Sequence, residues 1–204
     1  MVTINIDLGS AQEVKALVIF DHNMTSAATI TLKGVDPAIF SESVTFASGK
    51  ILHYLSVATT KRYWQLQITD ASNTDLYVEI GEIYLGSYMA LSRNYREGFS
   101  KGFELLFDSN RTPYGVSKKR FYNRQRTFEF VFGCIVAADL ALLETMIDAI
   151  ADRSTGELEP FWFNADAAFL ADNWLVDVTA IPEQHKTRSL YDATLQLTEV
   201  TRSV

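Results

Sequence analysis

Residues 121–151 read FYNRQRTFEFVFGCIVAADLALLETMIDAIA, and this stretch decides the architecture of the second half of the chain. Phe128, Phe130 and Phe132 occupy every second position, which predicts a half-buried β-strand. From there, apolar residues recur at spacings of three and four, which predicts one face of a helix over about residues 138–152. These residues are Leu140, Leu143, Ile147 and Ile150. The stretch therefore predicts a sheet with a helix laid across it.

The residues around this stretch predict more strands. Upstream, an extended segment at 102–107 leads into DSNRTPYGVSKKR at 108–120, which is too polar for a core and is predicted as a loop. Downstream, strands are predicted at 173–181 and 189–198. In the last of these, alternate apolar residues share one face: Tyr191, Ala193, Leu195 and Leu197.

Three consecutive aromatic residues, Phe161, Trp162 and Phe163, follow Pro160. A strand cannot place all three on a single face, because successive side chains point to opposite sides. We therefore expect one side of this run to lie in the core and the other to meet a partner or the helix. Trp162 is accordingly a candidate interface residue.

Residues 1–88 show a different pattern, in which short apolar runs alternate with turn residues. Ile4, Ile6 and Leu8 alternate with polar residues, and a second alternating run follows the predicted turn DLGSAQE at 7–13. Seven strands are predicted, at 4–8, 14–20, 29–33, 43–46, 51–57, 62–69 and 77–85. So many short strands in this length predict an antiparallel β-sandwich.

The segment GSYMA at 86–90 is short and uncharged, and it separates these two patterns. We therefore predict two domains, a β-sandwich at 1–88 and an α+β domain at 89–204. The predicted fold class is mainly β with one principal helix.

The composition is ordinary for a folded soluble protein, with 48% hydrophobic and 21% charged residues. A formal net charge of −7 argues against general nucleic-acid binding. No apolar run approaches the roughly 20 residues of a membrane-spanning helix, and the N-terminus lacks the pattern of a signal peptide. We therefore expect no membrane insertion, no specific nucleic-acid partner, and synthesis in a reducing cytoplasm.

Residue types that carry catalysis or bind metals are scattered along the sequence. His22, His53 and His185 lie in separate segments, without a second His or Cys at the spacing of zinc ligands. The single cysteine, Cys134, excludes an intramolecular disulfide and is expected to be a buried structural thiol. Phosphate-binding, dinucleotide-binding and serine-hydrolase motifs do not occur. We therefore expect no enzymatic reaction, no metal and no cofactor.

Charge is unevenly distributed in the second half of the chain. Residues 93–126 contain nine basic and three acidic residues, a local charge of +6 within an acidic chain. The basic residues predicted as an interface are Lys118, Lys119, Arg120, Arg124 and Arg126. Glu144, Asp148 and Asp152 lie four residues apart on one stripe of the predicted helix. Either these are unrelated solvated faces, or the helix of one copy meets the basic segment of the next in a ring.

Several pieces of the first half match a known family: DLG at 7–9, HN at 22–23, YW at 63–64 and EIGEIYLG at 79–86. With these pieces, residues 1–88 resemble the galactose-binding-like, discoidin-type jelly rolls of long-tailed bacteriophage tail proteins. Such jelly rolls often bind carbohydrate, so the resemblance implies a sugar contact at His22, Asn23 and Tyr63. Trp64 alternates in register with Leu66 and Ile68, so its ring is expected in the core instead.

In residues 91–204, extended segments around a polar loop are followed by one helix and by GELEPFWF at 156–163. This order is similar to that of the hub-forming domain of phage distal tail proteins and related tail-tip ring proteins. The resemblance implies a structural virion protein that forms a hexameric ring at the distal end of the tail. Its implied partners are itself, the tail tube protein and the hub proteins of the baseplate or tail tip, with assembly in the bacterial cytoplasm. The alternative is a tail adhesin that binds a glycan of the host envelope.

Overall fold

A computed structural model describes residues 1–35, 39–92, 95, 99–111, 117–151, 158–166, 173–187 and 190–200. Within these residues the chain is mainly β with one helix, which confirms the predicted fold class. It forms two compact units, Met1–Tyr88 with Asn164–Asn173, and Met89–Phe163 with Trp174–Val204. The division after Tyr88 falls inside the segment 86–90, but the sequence does not predict that residues 164–173 join the first unit.

The first unit is a five-stranded antiparallel sheet in the order β3-β2-β4-β1-β5. Its strands are β1 (Val2–His22), β2 (Thr29–Val35), β3 (Phe40–Val44), β4 (Lys50–Thr69) and β5 (Ile80–Gly86). The prediction of seven short strands is wrong, because β1 and β4 each run through two of the predicted strands. Two long antiparallel strands can bend together and keep their backbone groups hydrogen-bonded, so the chain does not reverse at either place.

The turn predicted at 7–13 is a bulge inside β1. Asp7 pairs with Tyr63 of β4. The next pair joins Gln12 to Lys61, so β1 holds the extra residues. Gly9 adopts a φ of 76°, in the left-handed region that favours glycine, and its N–H donates to Asp7 Oδ1 at 2.8 Å. A bulge of this kind bends the strand that carries it.

The bend divides both long strands into two halves whose apolar faces pack together. Residues 2–7 of β1 pair with residues 63–68 of β4, whereas residues 16–20 pair with residues 50–54. The core draws buried side chains from both halves: Leu17, Ile19 and Ile51 from one, and Ile30, Leu32, Trp64, Leu66 and Ile68 from the other. The first unit is thus a sandwich-like structure made from one sheet folded over on itself.

Trp64 is the largest fully buried side chain of this core, which confirms the position expected from the alternation of its strand. Its indole N–H donates to Lys61 O at 3.3 Å, and its ring meets that of Phe40 edge-on. Gly34 pairs with Trp64 across the ladder, and a Cβ on Gly34 would lie 3.2 Å from Lys61 Cγ and 3.4 Å from Trp64 Cζ3. Glycine at this position therefore leaves room for the indole.

The opposite face of the β1–β4–β5 half is also buried. Its buried apolar residues are Ala16, Val18 and Leu52. On the same face, Tyr54 Oη accepts a hydrogen bond from Asn164 Nδ2 at 3.0 Å, and Lys50 Nζ donates to Asn173 O. The ends of the segment 164–173 are therefore bonded to the outer face of this half.

The second unit is built on a sheet in the order β6-β7-β11-β9-β8, with β10 paired to β11. Its elements are β6 (Ser100–Arg111), β7 (Ser117–Val136), α1 (Ala137–Ile150), β8 (Phe161–Asn164), β9 (Asn173–Ala180), β10 (Glu183–Thr187) and β11 (Leu190–Glu199). The helix predicted at 138–152 and the strands predicted at 173–181 and 189–198 are confirmed with nearly the same bounds.

The polar loop predicted at 108–120 is mostly strand, so this prediction is wrong. β6 continues to Arg111 and β7 begins at Ser117, and the backbone of Ser109 pairs with that of Lys119. Polar side chains argue against burial, but they do not argue against paired strands, because backbone groups form the hydrogen bonds of the ladder.

The aromatic row of β7 lies in the core of the second unit. Phe128, Phe130 and Phe132 are at most 5% exposed, which confirms the strand face predicted from their spacing. The ring of Phe130 stacks on that of Phe99 with centroids 4.9 Å apart, and it contacts the ring of Phe163 at 4.7 Å. The residues of β11 that pair with this row are also buried: Ala193, Leu195 and Leu197.

Helix α1 contacts β7 and β11 through a narrow face. Its buried residues are Asp139 and Leu143, and the other apolar residues of the predicted face are half-buried. Asp139 accepts hydrogen bonds from Ser92 N at 3.0 Å and from Ser92 Oγ at 2.6 Å. A carboxylate in the first turn of a helix also interacts favourably with the helix dipole. Ser92, close behind the 86–90 segment, is thereby tied to the start of α1.

Cys134 occupies a bulge in β7 and is half-buried, so it is less enclosed than predicted. It adopts a φ of 57°, a left-handed conformation that costs a residue with a side chain roughly 1–2 kcal/mol. Its N–H donates to Asp192 Oδ1 at 2.9 Å. The carboxylate of β11 therefore supplies the acceptor for an amide that the irregular ladder leaves without a strand partner.

We expect the first unit to be incomplete without residues 164–173. A fragment of residues 1–88 should be less stable than the same fragment joined to residues 164–173 through a flexible Gly/Ser linker. The two hydrogen bonds at Tyr54 and Lys50 alone should contribute about 2 kcal/mol to the free energy of unfolding. Urea denaturation of both fragments measures the difference, and equal midpoints would show that the segment contributes nothing to this unit.

Candidate functional site

The β6–β7 hairpin extends beyond the rest of the second sheet. Among the described residues, β7 pairs with β11 from Thr127 onward, whereas it pairs with β6 from Ser117. We call residues 103–111 and 117–126 the arm. A two-stranded hairpin is marginally stable by itself, so the arm depends on cross-strand side-chain contacts or on a partner.

One face of the arm is apolar and exposed. Phe103, Leu105 and Phe107 alternate along β6, and Phe121 of β7 pairs with Phe107. These four side chains, which we call the apolar face of the arm, are 53%, 56%, 45% and 60% exposed in that order. Large apolar side chains grouped on a surface mark interaction sites, whereas scattered ones do not.

Basic side chains lie over two of these rings. The guanidinium carbon of Arg124 is 5.2 Å from the ring centroid of Phe103, and Lys119 Nζ is 4.7 Å from that of Phe107. Each cation–π contact of this kind contributes about 0.5–1 kcal/mol at an exposed site. The cations therefore help to fix the rings while presenting positive charge to solvent. Arg120 is exposed as well, and the side chain of Lys118 lies outside the described part of the chain.

The base of the arm is anchored to β11. Arg126 Nη1 lies 3.3 Å from Glu199 Oε1, and Gln125 Nε2 donates to Glu199 O at 2.7 Å. Arg126 is thus partly neutralised within its own unit. Arg126 therefore holds the base of the arm to β11, whereas Lys119 and Arg124 lie over aromatic rings farther along the arm.

The predicted acidic stripe lies on the exposed side of α1. Glu144 and Asp148 are exposed, and Asp152 lies outside the described residues. Ala141 and Thr145, on the same side of the helix, are exposed too, and Thr145 Oγ1 donates to Ala141 O at 2.7 Å. The stripe is therefore set among small side chains.

Trp162 is half-buried, like the rest of β8. The neighbouring Phe163 contacts the ring of Phe130, which places one side of the aromatic run against the core as expected. Trp162 makes contacts of its own within the chain, so its candidacy as an interface residue stays a prediction.

Two of the three residues predicted to contact a sugar, His22 and Asn23, are bonded to the protein itself. Asn23 Nδ2 donates to Asp75 Oδ2 and to Tyr77 O, each at 3.1 Å, and Asn23 Oδ1 accepts the N–H of Glu79 at 2.8 Å. His22 Nε2 lies 3.0 Å from a carbonyl oxygen between β3 and β4. Asn23 therefore ties the end of β1 to the loop that precedes β5.

Tyr63 lies far from Asn23. It pairs with Val35 at one end of the β2–β4 ladder. Beyond the other end, Asp70 accepts hydrogen bonds from the N–H and hydroxyl of Thr25, close to Asn23 in the chain. About six residues of extended strand, or roughly 20 Å, separate the two ends. The three predicted carbohydrate residues are therefore not brought together.

Two carboxylates of the first unit have a pKa below the ordinary value. The N–H of Thr25, with the Thr25 hydroxyl and the N–H of Ser72, lowers the pKa of Asp70. Arg62 donates to both oxygens of Asp7, at 2.7 and 2.9 Å, and lowers the pKa of Asp7. Both groups stay ionised at neutral pH, so they act as hydrogen-bond acceptors that hold a turn and a bulge, and are poorly suited to proton transfer.

A serine, an acid and a histidine meet in the first unit. Ser56 Oγ donates to Glu42 Oε2 at 3.1 Å, and Ser56 N donates to the same carboxylate. His53 Nε2 lies 3.2 Å from Glu42 Oε1 without the geometry of a hydrogen bond. A nucleophilic serine needs its hydroxyl bonded to the base, and here the hydroxyl is bonded to the acid. This grouping therefore lacks the order of a catalytic triad.

A shallow groove of about 290 Å³ opens on the polar face of the second sheet. Its polar lining includes Glu104, Thr127, Glu129, Thr179, Gln196 and Thr198. Glu129 accepts a hydrogen bond from Gln196 at 3.2 Å, and the hydroxyls of Thr179 and Thr198 lie 3.0 Å apart. Much of this lining is thus engaged in cross-strand hydrogen bonds that stabilise the sheet.

Neither a metal site nor a membrane span is found in the described part of the chain. No group of three or more His, Cys, Asp or Glu side chains there could hold a metal ion. No helix among those residues combines the length and hydropathy that a bilayer span requires.

The sequence prediction does not include the apolar face of the arm. Its signal is the alternation of Phe103, Leu105 and Phe107 next to a basic strand. Alternation predicts that these side chains share a face, but it does not tell whether another element covers that face.

No protein-family model matches the chain, and a search of curated proteins finds no match.

We expect Asn23 to have a structural role. Asn23→Ala removes three hydrogen bonds to the segment 75–79 and should lower the free energy of unfolding by about 2 kcal/mol. Tyr63→Phe, the matched control, removes a hydroxyl from an exposed side chain and should leave stability unchanged. Urea denaturation measures both. Unchanged stability of Asn23→Ala would contradict the structural role and leave the side chain available for a ligand.

Proposed function

We propose that this chain is a structural protein of a long-tailed phage, forming a ring at the distal end of the tail between the tail tube and the baseplate or tail-tip complex. The jelly-roll motifs of the first 88 residues and the element order of the rest support this assignment by resemblance. The same resemblance implies six copies in the ring.

The observation that carries the proposal is the opposite charge of two exposed surfaces on one unit. Lys119, Arg120 and Arg124 are exposed on the arm, and Glu144 and Asp148 are exposed on α1. Exposed ion pairs contribute about 0–1 kcal/mol each, so this segregation adds little to the stability of a single chain. Between copies, opposite charges set orientation and disfavour wrong partners.

The two surfaces also belong to different parts of the unit. A contact between unlike patches on identical copies is head-to-tail, and it forms a closed ring when the rotation between neighbours closes. Such a ring can present one face to the tail tube and the other to the tip complex.

We expect charge reversal to weaken self-association. Replacing Lys118, Lys119 and Arg120 with Glu should raise the dissociation constant, because like charges would then face each other across the interface. Adding Glu144→Lys and Asp148→Lys should partly restore it. Light scattering measures the particle mass, and raised salt should weaken the unmodified assembly by screening.

A dissociation constant that both charge reversals leave unchanged would contradict charge-guided assembly. The compensated variant is the control, because it has the same arm substitutions and differs in the helix alone.

We expect the chain to be located at the tail tip of virions. Antibodies against the purified chain should label the distal end of the tail in electron micrographs of phage particles from the host. Preincubation of the antibody with the purified chain is the control and should abolish the labelling. Labelling of capsids alone, or of no particle, would contradict the proposed function.

A further inference from the structure

Two surfaces of the second unit are uncovered in the single chain. On the arm, Phe103, Phe107 and Phe121 are about half exposed, and with Leu105 they present on the order of 400 Å² of apolar surface. A patch of this size is at the scale of functional patches on monomeric proteins. On α1, Asp139 and Leu143 are the buried residues of a 14-residue helix.

The apolar face of the arm is a continuation of the core face. Lys101 pairs with Phe128, and from Lys101 the alternation of β6 leads directly to Phe103 and Leu105. The face that is packed around Phe128 is therefore the same face that lies open along the arm. Its residues have the size and spacing of a buried strand, which indicates that a partner covers them.

Charge decides the kind of partner. The segment 93–126 has a charge of +6 and the whole chain has a charge of −7, so the residues outside this segment carry a net charge of −13. A second copy of this chain therefore offers the arm an acidic surface. The exposed side of α1 combines Glu144 and Asp148 with the small residues Ala141 and Thr145. Small side chains allow aromatic rings to approach a helix closely, and the two carboxylates match the cations that lie over the rings.

We infer that the apolar face of the arm docks on the exposed side of α1 in a second copy of this chain. This inference depends on the proposed ring, and it identifies the side chains that hold neighbouring copies of the ring together. Phe103, Phe107 and Phe121 supply the buried contact, while Lys119 and Arg124 meet Glu144 and Asp148. Buried aromatic anchors carry most of the affinity of an interface, and charges at its rim mainly guide association.

The test compares two double variants of the full chain. Phe103→Ser with Phe121→Ser removes two anchors from the arm. Leu76→Ser with Tyr77→Ser is the matched control, because these side chains are 93% and 59% exposed but lie outside the arm. Sedimentation equilibrium should show a dissociation constant about tenfold or more higher for the arm variant. The control should self-associate like the unmodified chain.

Urea denaturation of each variant checks that the fold is retained. If the arm variant is destabilised, Leu105→Ser with Phe107→Ser provides a second removal of apolar surface at other positions of the same face. Loss of self-association by a variant with an unchanged urea midpoint supports docking through the arm.

Cysteine cross-linking identifies the surface that the arm meets. In a Cys134→Ser background, a chain with Phe121→Cys is mixed with a chain with Ala141→Cys and oxidised. A mixed disulfide dimer is expected. In the control, a chain with Leu76→Cys takes the place of the chain with Phe121→Cys, and no mixed dimer should form. Cross-linking from Leu76→Cys as strong as from Phe121→Cys would overturn the assignment of this surface.

The outcomes separate this inference from the proposed function. A ring that tolerates the arm variants overturns docking through the apolar face and leaves the ring intact. A chain that stays monomeric at every concentration overturns both the docking and the self-assembled ring. Cross-linking together with weakened association of the arm variant supports both.

Discussion

Strand β1 pairs with β4 along almost its whole length, and the structure of the first unit depends on this ladder. Backbone groups that leave a ladder must find other partners, so two long strands that bend together satisfy more of them than four short strands would. The bend folds the sheet so that Leu17 and Ile51 of one half pack with Leu66 of the other. Gly9 makes the bend possible, because its φ of 76° suits a residue without a side chain.

The same constraint shapes the second unit. β7 leaves its ladder with β11 before Thr127, yet it stays hydrogen-bonded to β6 along the arm. Among the described residues, β7 keeps one ladder along the arm instead of two, and the environment of its side chains changes from core to solvent. Phe128 is 3% exposed and Phe103, on the same face, is 53% exposed. In the proposed ring, α1 of a neighbouring copy covers this part of the sheet, and the cations over the rings attract the acidic side chains of that helix.

The sequence predicts which charged residues the candidate site contains better than it predicts where those residues lie. Excess basic charge at 93–126 and the spacing of Glu144 and Asp148 can be counted directly. The sequence does not predict where the basic residues lie. Lys119 and Arg124 lie on a strand and over aromatic rings, in a segment that the sequence predicts to be partly a loop. Arg126 is held by Glu199, a pairing between distant residues that no local pattern contains.

By itself, the sequence determined which side chains share a face: the row Phe128 to Phe132, the inward position of Trp64 and the helix that bears Leu143. These follow from periods of two and of about 3.6 residues, which are properties of the local backbone. The tertiary structure alone decided that β1 bends where a turn is predicted, that Asn164–Asn173 belongs to the first unit, and that Phe103 is exposed. A period shows that residues point the same way, whereas burial requires another element to lie against them, and that element comes from a distant part of the chain.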